Sequence, residues 1–401
     1  MDINIVSPES VGFSSTRLER IHLVMQRYID QGHPPGIITV VARRGQVVHY
    51  DCFGLRDVGA GQPMRPDTIL RIYLMTKPIT AVALMILLEE GRFVLGEPVS
   101  KYIPEFKTFK VYAGGAQDSL KLADLEREIT IRDLLTHTSG LAYGIFPSSP
   151  IEALYHAANL NNATSASEFI RRLCVLPLAH QPGTAWRYGF AYEVLGHLIS
   201  ILADRPFDVF LQERVLGPLG MDDTSFCVPE NKLACFAAQY TVTEDGDLAL
   251  TDTSSATSQF ARTDKPPSGG GGLVSTAADY LRFAQMLLNG GELDGTRVLG
   301  RKTVAWMTTN HVPAALFPLT LLDTWPMPGQ GYGLGVGVVV DASQQSALTS
   351  TGAYGWPGFA GINFWVDPQE ELIGLSLPQV VGLMVPVGDV FKNLVYQALV
   401  D

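Results

Sequence analysis

The chain has 401 residues, 46% of them hydrophobic and 17% charged, which is enough apolar material for a large core and excludes a disordered or fibrous protein. Acidic residues number 40 against 29 basic ones, a formal net charge of −11 with no lysine or arginine cluster. That balance argues against nucleic acid and anionic membrane as partners.

The first ten residues, Met1 to Ser10, have neither the basic nor the apolar region of a signal peptide, so a cytoplasmic location is expected. Residues 14–31 read as an amphipathic helix, with Leu18, Ile21, Val24, Met25 and Tyr28 at helical spacing. Pro34, Pro35 and Gly36 break the chain. Apolar runs at 37–42 and 46–50 flank Arg43, Arg44 and Gly45, which signals a hairpin. Residues 75–91 read as a strongly apolar helix. Its run 81–88 is too short to cross a bilayer and stops at Glu89, Glu90 and Gly91. Helical patterns follow at 129–136, 166–174, 191–203, 206–215 and 276–289. Gly269 to Gly272 read as a turn into the last of these, with Ser275 as its N-cap. Strands are expected at 332–340, 361–366 and 372–377, and a closing helix at about 387–399. Cys52, Cys174, Cys227 and Cys235 are scattered, with no C-x-x-C pair, so neither a disulfide framework nor a zinc site is implied.

Strands at both ends with helices between them predict an α/β protein of the α+β type. One antiparallel sheet flanked by helices would be built from 1–96 and 290–401, beside a mostly helical domain over 97–289.

The segment from Arg71 to Thr80, read with Tyr188 and with Gly355 to Phe359, resembles the serine β-lactamases, penicillin-binding proteins and related esterases. The class C-like esterase and transesterase branch is the nearest in pattern. Further support comes from 129–141, from Trp186 to Gly196, from Gly269 to Asp279 and from Phe364 to Pro368, so the resemblance covers nearly the whole chain. It implies the serine β-lactamase/transpeptidase-like fold and acyl transfer from a small ester. No metal or organic cofactor is implied.

The first motif of that family is S-x-x-K at the start of a buried helix. Positions i and i+3 share a helix face, so the spacing sets a lysine amine beside a nucleophilic hydroxyl that needs a base. Here the motif reads Leu74, Met75, Thr76, Lys77. Leucine has no hydroxyl and forms no acyl-enzyme. Lys77, next to an apolar run, is expected to be buried and hydrogen-bonded. Tyr188 falls at the family's second motif, where a phenol lowered in pKa by a neighbouring ammonium would act as a base, with its oxygen in reach of Lys77. Phe190 stands where β-lactamases carry asparagine, which favours the esterase branch. Trp356, Pro357 and Gly358 align with the third motif. Trp356, Gly358, Phe359 and Phe190 are expected to line the substrate cleft with Tyr188, and the backbone N–H groups of residues 74 and 359 to form an oxyanion hole. His137 and Ser139, close together on a turn, read as support for the fold.

Two functional expectations follow. One is an esterase or acyl transferase whose nucleophile is replaced and which is hydrolytically inactive as written. The other is a natural non-hydrolytic homologue, either a binding protein or an enzyme using Lys77 and Tyr188 as a non-covalent acid/base pair.

Overall fold

The computed structural model describes residues 3–116, 119–383 and 385–401. Its largest element is an eight-stranded sheet. The strands are β1 (Gly36–Arg43), β2 (Gln46–Asp57), β3 (Gln62–Pro63), β4 (Gln330–Tyr332), β5 (Gly337–Val339), β6 (Tyr354–Pro357), β7 (Asn363–Asp367) and β8 (Leu372–Pro378). Their spatial order is β4-β5-β6-β7-β8-β1-β2-β3, and neighbouring strands run antiparallel. The junction of β1 with β8 joins the two ends of the chain, pairing Val40 with Leu375 and Ile38 with Leu377.

Every residue of β1 and of β8 is buried, which places these strands between two layers. Side chains alternate between those layers, as the two-residue period of a strand requires. Ile37 and Val41 pack with Ile21 and Met25 of helix α1 (Arg20–Asp30) and with Phe391 and Val395 of the C-terminal helix Val387–Tyr396. Ile38, Val40 and Ala42 point the other way, into the main core. That core also holds helix α2 (Thr76–Glu89), helix α3 (Ala191–Ala203) and helix α4 (Ala277–Leu288).

The expected elements appear, with several differences, among them short additional strands such as Gln239–Val242 and Leu248–Asp252 in the middle of the chain. The segment 332–340 is two strands, β4 and β5, joined by a turn in which Gly335 has φ +101°. Helices at Pro150–Ala158 and Arg301–Met307 are additional. Helix α4 is capped by Thr276 rather than by Ser275: Thr276 accepts from the Asp279 N–H, while Ser275 lies in a short strand, Val274–Ser275, paired with Leu70–Arg71.

Helix α2 is buried along Thr76 to Leu87. Pro78 fits there because first-turn N–H groups have no partner inside the helix. Three polar side chains interrupt its apolar surface, and all bond to one glycine-rich segment. Thr80 Oγ1 donates to the Gly269 carbonyl at 2.7 Å, Lys77 Nζ donates to the Gly270 carbonyl at 2.7 Å, and Thr76 Oγ1 accepts from the Leu273 N–H at 3.2 Å. Replacing Thr80 by valine keeps the shape and removes one donor to a buried carbonyl. Thr80→Val should lower stability by about 1–2 kcal/mol, read as a lower urea midpoint at unchanged slope. An unchanged midpoint would show that this clasp contributes nothing.

Candidate active site

A short 3-10 turn, Tyr73–Met75, leads directly into α2. Tyr73 sits at φ +43°, a conformation that a bulky residue adopts only when its surroundings enforce it. Its ring is held edge-on by Phe260 and Phe359, and its hydroxyl donates to Gln239. Arg71, fully buried two residues earlier, anchors this turn through Asp252 and the Ala237 and Thr253 carbonyls. The backbone is thus fixed just before Leu74, and Leu74 and Lys77 follow one helical turn apart.

Lys77 is fully buried among aromatic rings. Its Nζ lies 4.8 Å from the centre of the Tyr188 ring, 5.6 Å from that of Tyr192 and 5.7 Å from that of Tyr143. Burial lowers its pKa from 10.5 to about 8, and the Glu193 carboxylate opposes that shift. Among the described residues the Lys77 ammonium bonds the Gly270 carbonyl, and no direct hydrogen bond joins it to the Tyr188 oxygen. The Tyr188 hydroxyl instead accepts from Trp356 Nε1 at 3.1 Å, and the two rings stack at 5.5 Å.

The expected lowering of the Tyr188 pKa does not occur. Burial holds the phenol well above its ordinary value, because the lysine lies over the ring face and not at the oxygen. Tyr188 therefore remains a protonated phenol, able to donate or relay a proton. His137 stacks on Tyr188 with centroids 4.4 Å apart, and burial keeps it neutral. Ser139 is buried and bonds the Leu141 N–H, a supporting role.

A cavity of about 770 Å³ opens beside this cluster, between the end of β6 and the helical middle of the chain. Leu74 is on its wall, as are Phe190 and Phe359. Phe359 is 42% exposed. Two residues expected on the substrate wall are not. Trp356 is buried, 1% exposed, behind the wall against Tyr188. Gly358 is needed for packing: a β-carbon there would lie 2.4 Å from the Ile362 side chain and 2.8 Å from the Ile72 carbonyl. Lys77 and Tyr188 also lie outside the cavity lining, one layer behind Leu74. Among the described residues, neither the Leu74 nor the Phe359 backbone N–H has an acceptor, so both donors remain available.

Glu193 and Ser268 are cavity residues that sequence reasoning missed. Ser268 Oγ donates to Glu193 Oε1 at 3.1 Å and accepts from the Gly271 N–H at 3.1 Å. The carboxylate lies against Gly270, where a β-carbon would come within 2.1 Å of Oε1. A lone acidic residue in the first turn of the largely apolar helix α3 was the available signal.

The Beta-lactamase family pattern matches residues 22–385. Protein Rv1367c of Mycobacterium tuberculosis is 38% identical over 356 residues, covering 87% of each chain. Esterase EstB of Burkholderia gladioli is 30% identical over 379 residues, covering 89% of this chain and 88% of its own. The solved structure of EstCE1, described as a hydrolase with promiscuous acyltransferase activity, superposes with a TM-score of 0.81 at 26% identity, over 95% of this chain and 99% of its own. With its mixed α/β architecture, its antiparallel sheet and a family match along most of its length, this chain belongs to the Beta-lactamase family, among whose members are esterases and acyltransferases.

Proposed function

We propose that this chain carries an esterase and acyl-transferase scaffold for small esters in which the hydrolytic step is disabled by Leu74 at the nucleophile position. The observation that carries the reading is the place of Leu74: on the cavity wall, one turn before a buried lysine whose pKa is lowered to about 8. The named activities of EstB and EstCE1 support ester chemistry at this site. The substrate is a small ester or acyl compound, and the chemistry calls for no metal or organic cofactor.

The surroundings suit acyl transfer once a hydroxyl stands at position 74. Its oxygen bonds to the carbonyl carbon as its proton passes to the neutral Lys77 amine. The carbonyl electron pair moves onto oxygen, where the free N–H groups of residues 74 and 359 can bind it. Collapse expels the alkoxide, which takes back the proton held by the Lys77 ammonium. Leucine supplies no such oxygen and fills the approach to the carbonyl.

A second reading is a natural non-hydrolytic homologue. Lys77 donates to the Gly270 carbonyl, and so has a structural role that needs no nucleophile.

As written, the chain should give no acyl-enzyme burst with p-nitrophenyl esters and no labelling by fluorophosphonates. Leu74→Ser should gain both, with hydrolysis roughly 10³-fold or more above the unaltered chain. A folded but inert Leu74→Ser across an ester panel would select the non-hydrolytic reading.

The pH profile gives a separate check. The neutral amine is the active form, so kcat/KM of Leu74→Ser should climb with pH and level off above about 8, where Lys77 has lost its proton. Adding Lys77→Ala should remove the activity. A profile that keeps rising to pH 10 or above would contradict Lys77 as the base.

A further inference from the structure

The cavity has a polar floor that acyl transfer does not use. Glu193 Oε1 is bonded to Ser268, whereas Oε2 is buried without a hydrogen-bond partner among the described residues. Lys77 lies near enough for its charge to be felt, but it makes no direct bond to Oε2, and its hydrogen bond goes to the Gly270 carbonyl. A buried carboxylate oxygen left without a donor is costly, and a donor from a ligand would offset that cost. Tyr73, Tyr143, Tyr155, Phe190, Phe260 and Phe359 line the same cavity. Aromatic faces attract cations, and a carboxylate among them adds a charge-assisted hydrogen bond.

The cations at the rim do not cancel this preference. Arg262 is paired with Asp264 at 2.6 Å, and Lys265 is exposed and bonded to Gln259, so solvent screens both.

We propose that this cavity selects ligands bearing a primary ammonium group, held by Glu193 Oε2 with aromatic rings around it. Applied to the acyl-transfer reading above, on which this extension rests, the preferred substrates are esters that carry an amine. Glu193 is then a specificity-determining residue that holds the ammonium and not the reacting carbonyl.

The test is binding by isothermal titration calorimetry to the full chain at pH 7. The probes are 4-phenylbutylamine, which is protonated at that pH, and the neutral 4-phenylbutanol. The amine should bind at least tenfold more tightly, and Glu193→Gln should abolish that preference. Should Glu193→Gln fail to fold, a crystal structure of the unaltered chain with the amine decides the matter. The ammonium should lie within hydrogen-bond distance of Glu193 Oε2. Equal binding of amine and alcohol, an unchanged preference in Glu193→Gln, or an ammonium bound elsewhere overturns the proposal. Because the unaltered chain performs no turnover in this account, binding is read independently of catalysis. A lost amine preference alongside an active Leu74→Ser defeats this inference alone. A retained preference alongside an inert Leu74→Ser defeats the acyl-transfer reading alone.

Discussion

The clasp between helix α2 and the glycine-rich segment 269–273 is the constraint on which the site depends. Its central member is an ammonium taken fully out of water. The depression of the Lys77 pKa from 10.5 to about 8 corresponds to roughly 3 kcal/mol of burial cost. That cost is present in full below pH 8 and fades between pH 8 and 10.5, the window in which the unfolded state keeps a proton that the folded state has lost. The Gly270 carbonyl and the surrounding aromatic faces offset part of it. Thr76 and Thr80, on either side, fix the segment so that its carbonyls meet the lysine. A β-carbon on Gly270 would displace the Glu193 carboxylate, which lies 2.1 Å from where that carbon would stand. One segment therefore positions both the cation behind the cavity and the carboxylate within it.

This arrangement divides the site into two shells. The inner one, formed by Lys77, Tyr188, Trp356 and His137, is buried and closely stacked. The outer one is the cavity, with Phe190, Phe359 and Glu193 on its wall. Leu74 stands at the boundary. A serine there would connect proton transfer in the inner shell with substrate in the outer one, whereas leucine separates them. The separation explains why the acid/base residues of the reading are absent from the cavity lining while the aromatic ones are present.

Much of the fold was legible because its elements bury strongly patterned faces. Helix α2 is apolar almost throughout, and β1 and β8 are continuous apolar runs, so period and length identified them. The run 332–340 misled because its glycines suit a strand and a turn equally, and the chain reverses at Gly335. The helix Pro150–Ala158 begins with Ser149 as its cap and proline in its first turn, signals that were present but not read. Within the site, motif spacing located Leu74, Lys77 and Tyr188. It could not tell which oxygen Lys77 would bond, since the acceptor is a backbone carbonyl 193 residues away. Nor could it tell that Trp356 turns inward to Tyr188 instead of outward to substrate. Those choices are made by tertiary packing.

The central claim is that this chain retains a desolvated, base-competent lysine behind a leucine that replaces the nucleophile. The most direct measurement is a carbon-13 NMR titration of the Lys77 Cε resonance in the unaltered, folded chain, assigned by its loss in Lys77→Met. The account predicts a midpoint near 8. A midpoint at or above the ordinary value of 10.5 would contradict it, because the lysine would then be a solvated or tightly ion-paired cation and no base at neutral pH.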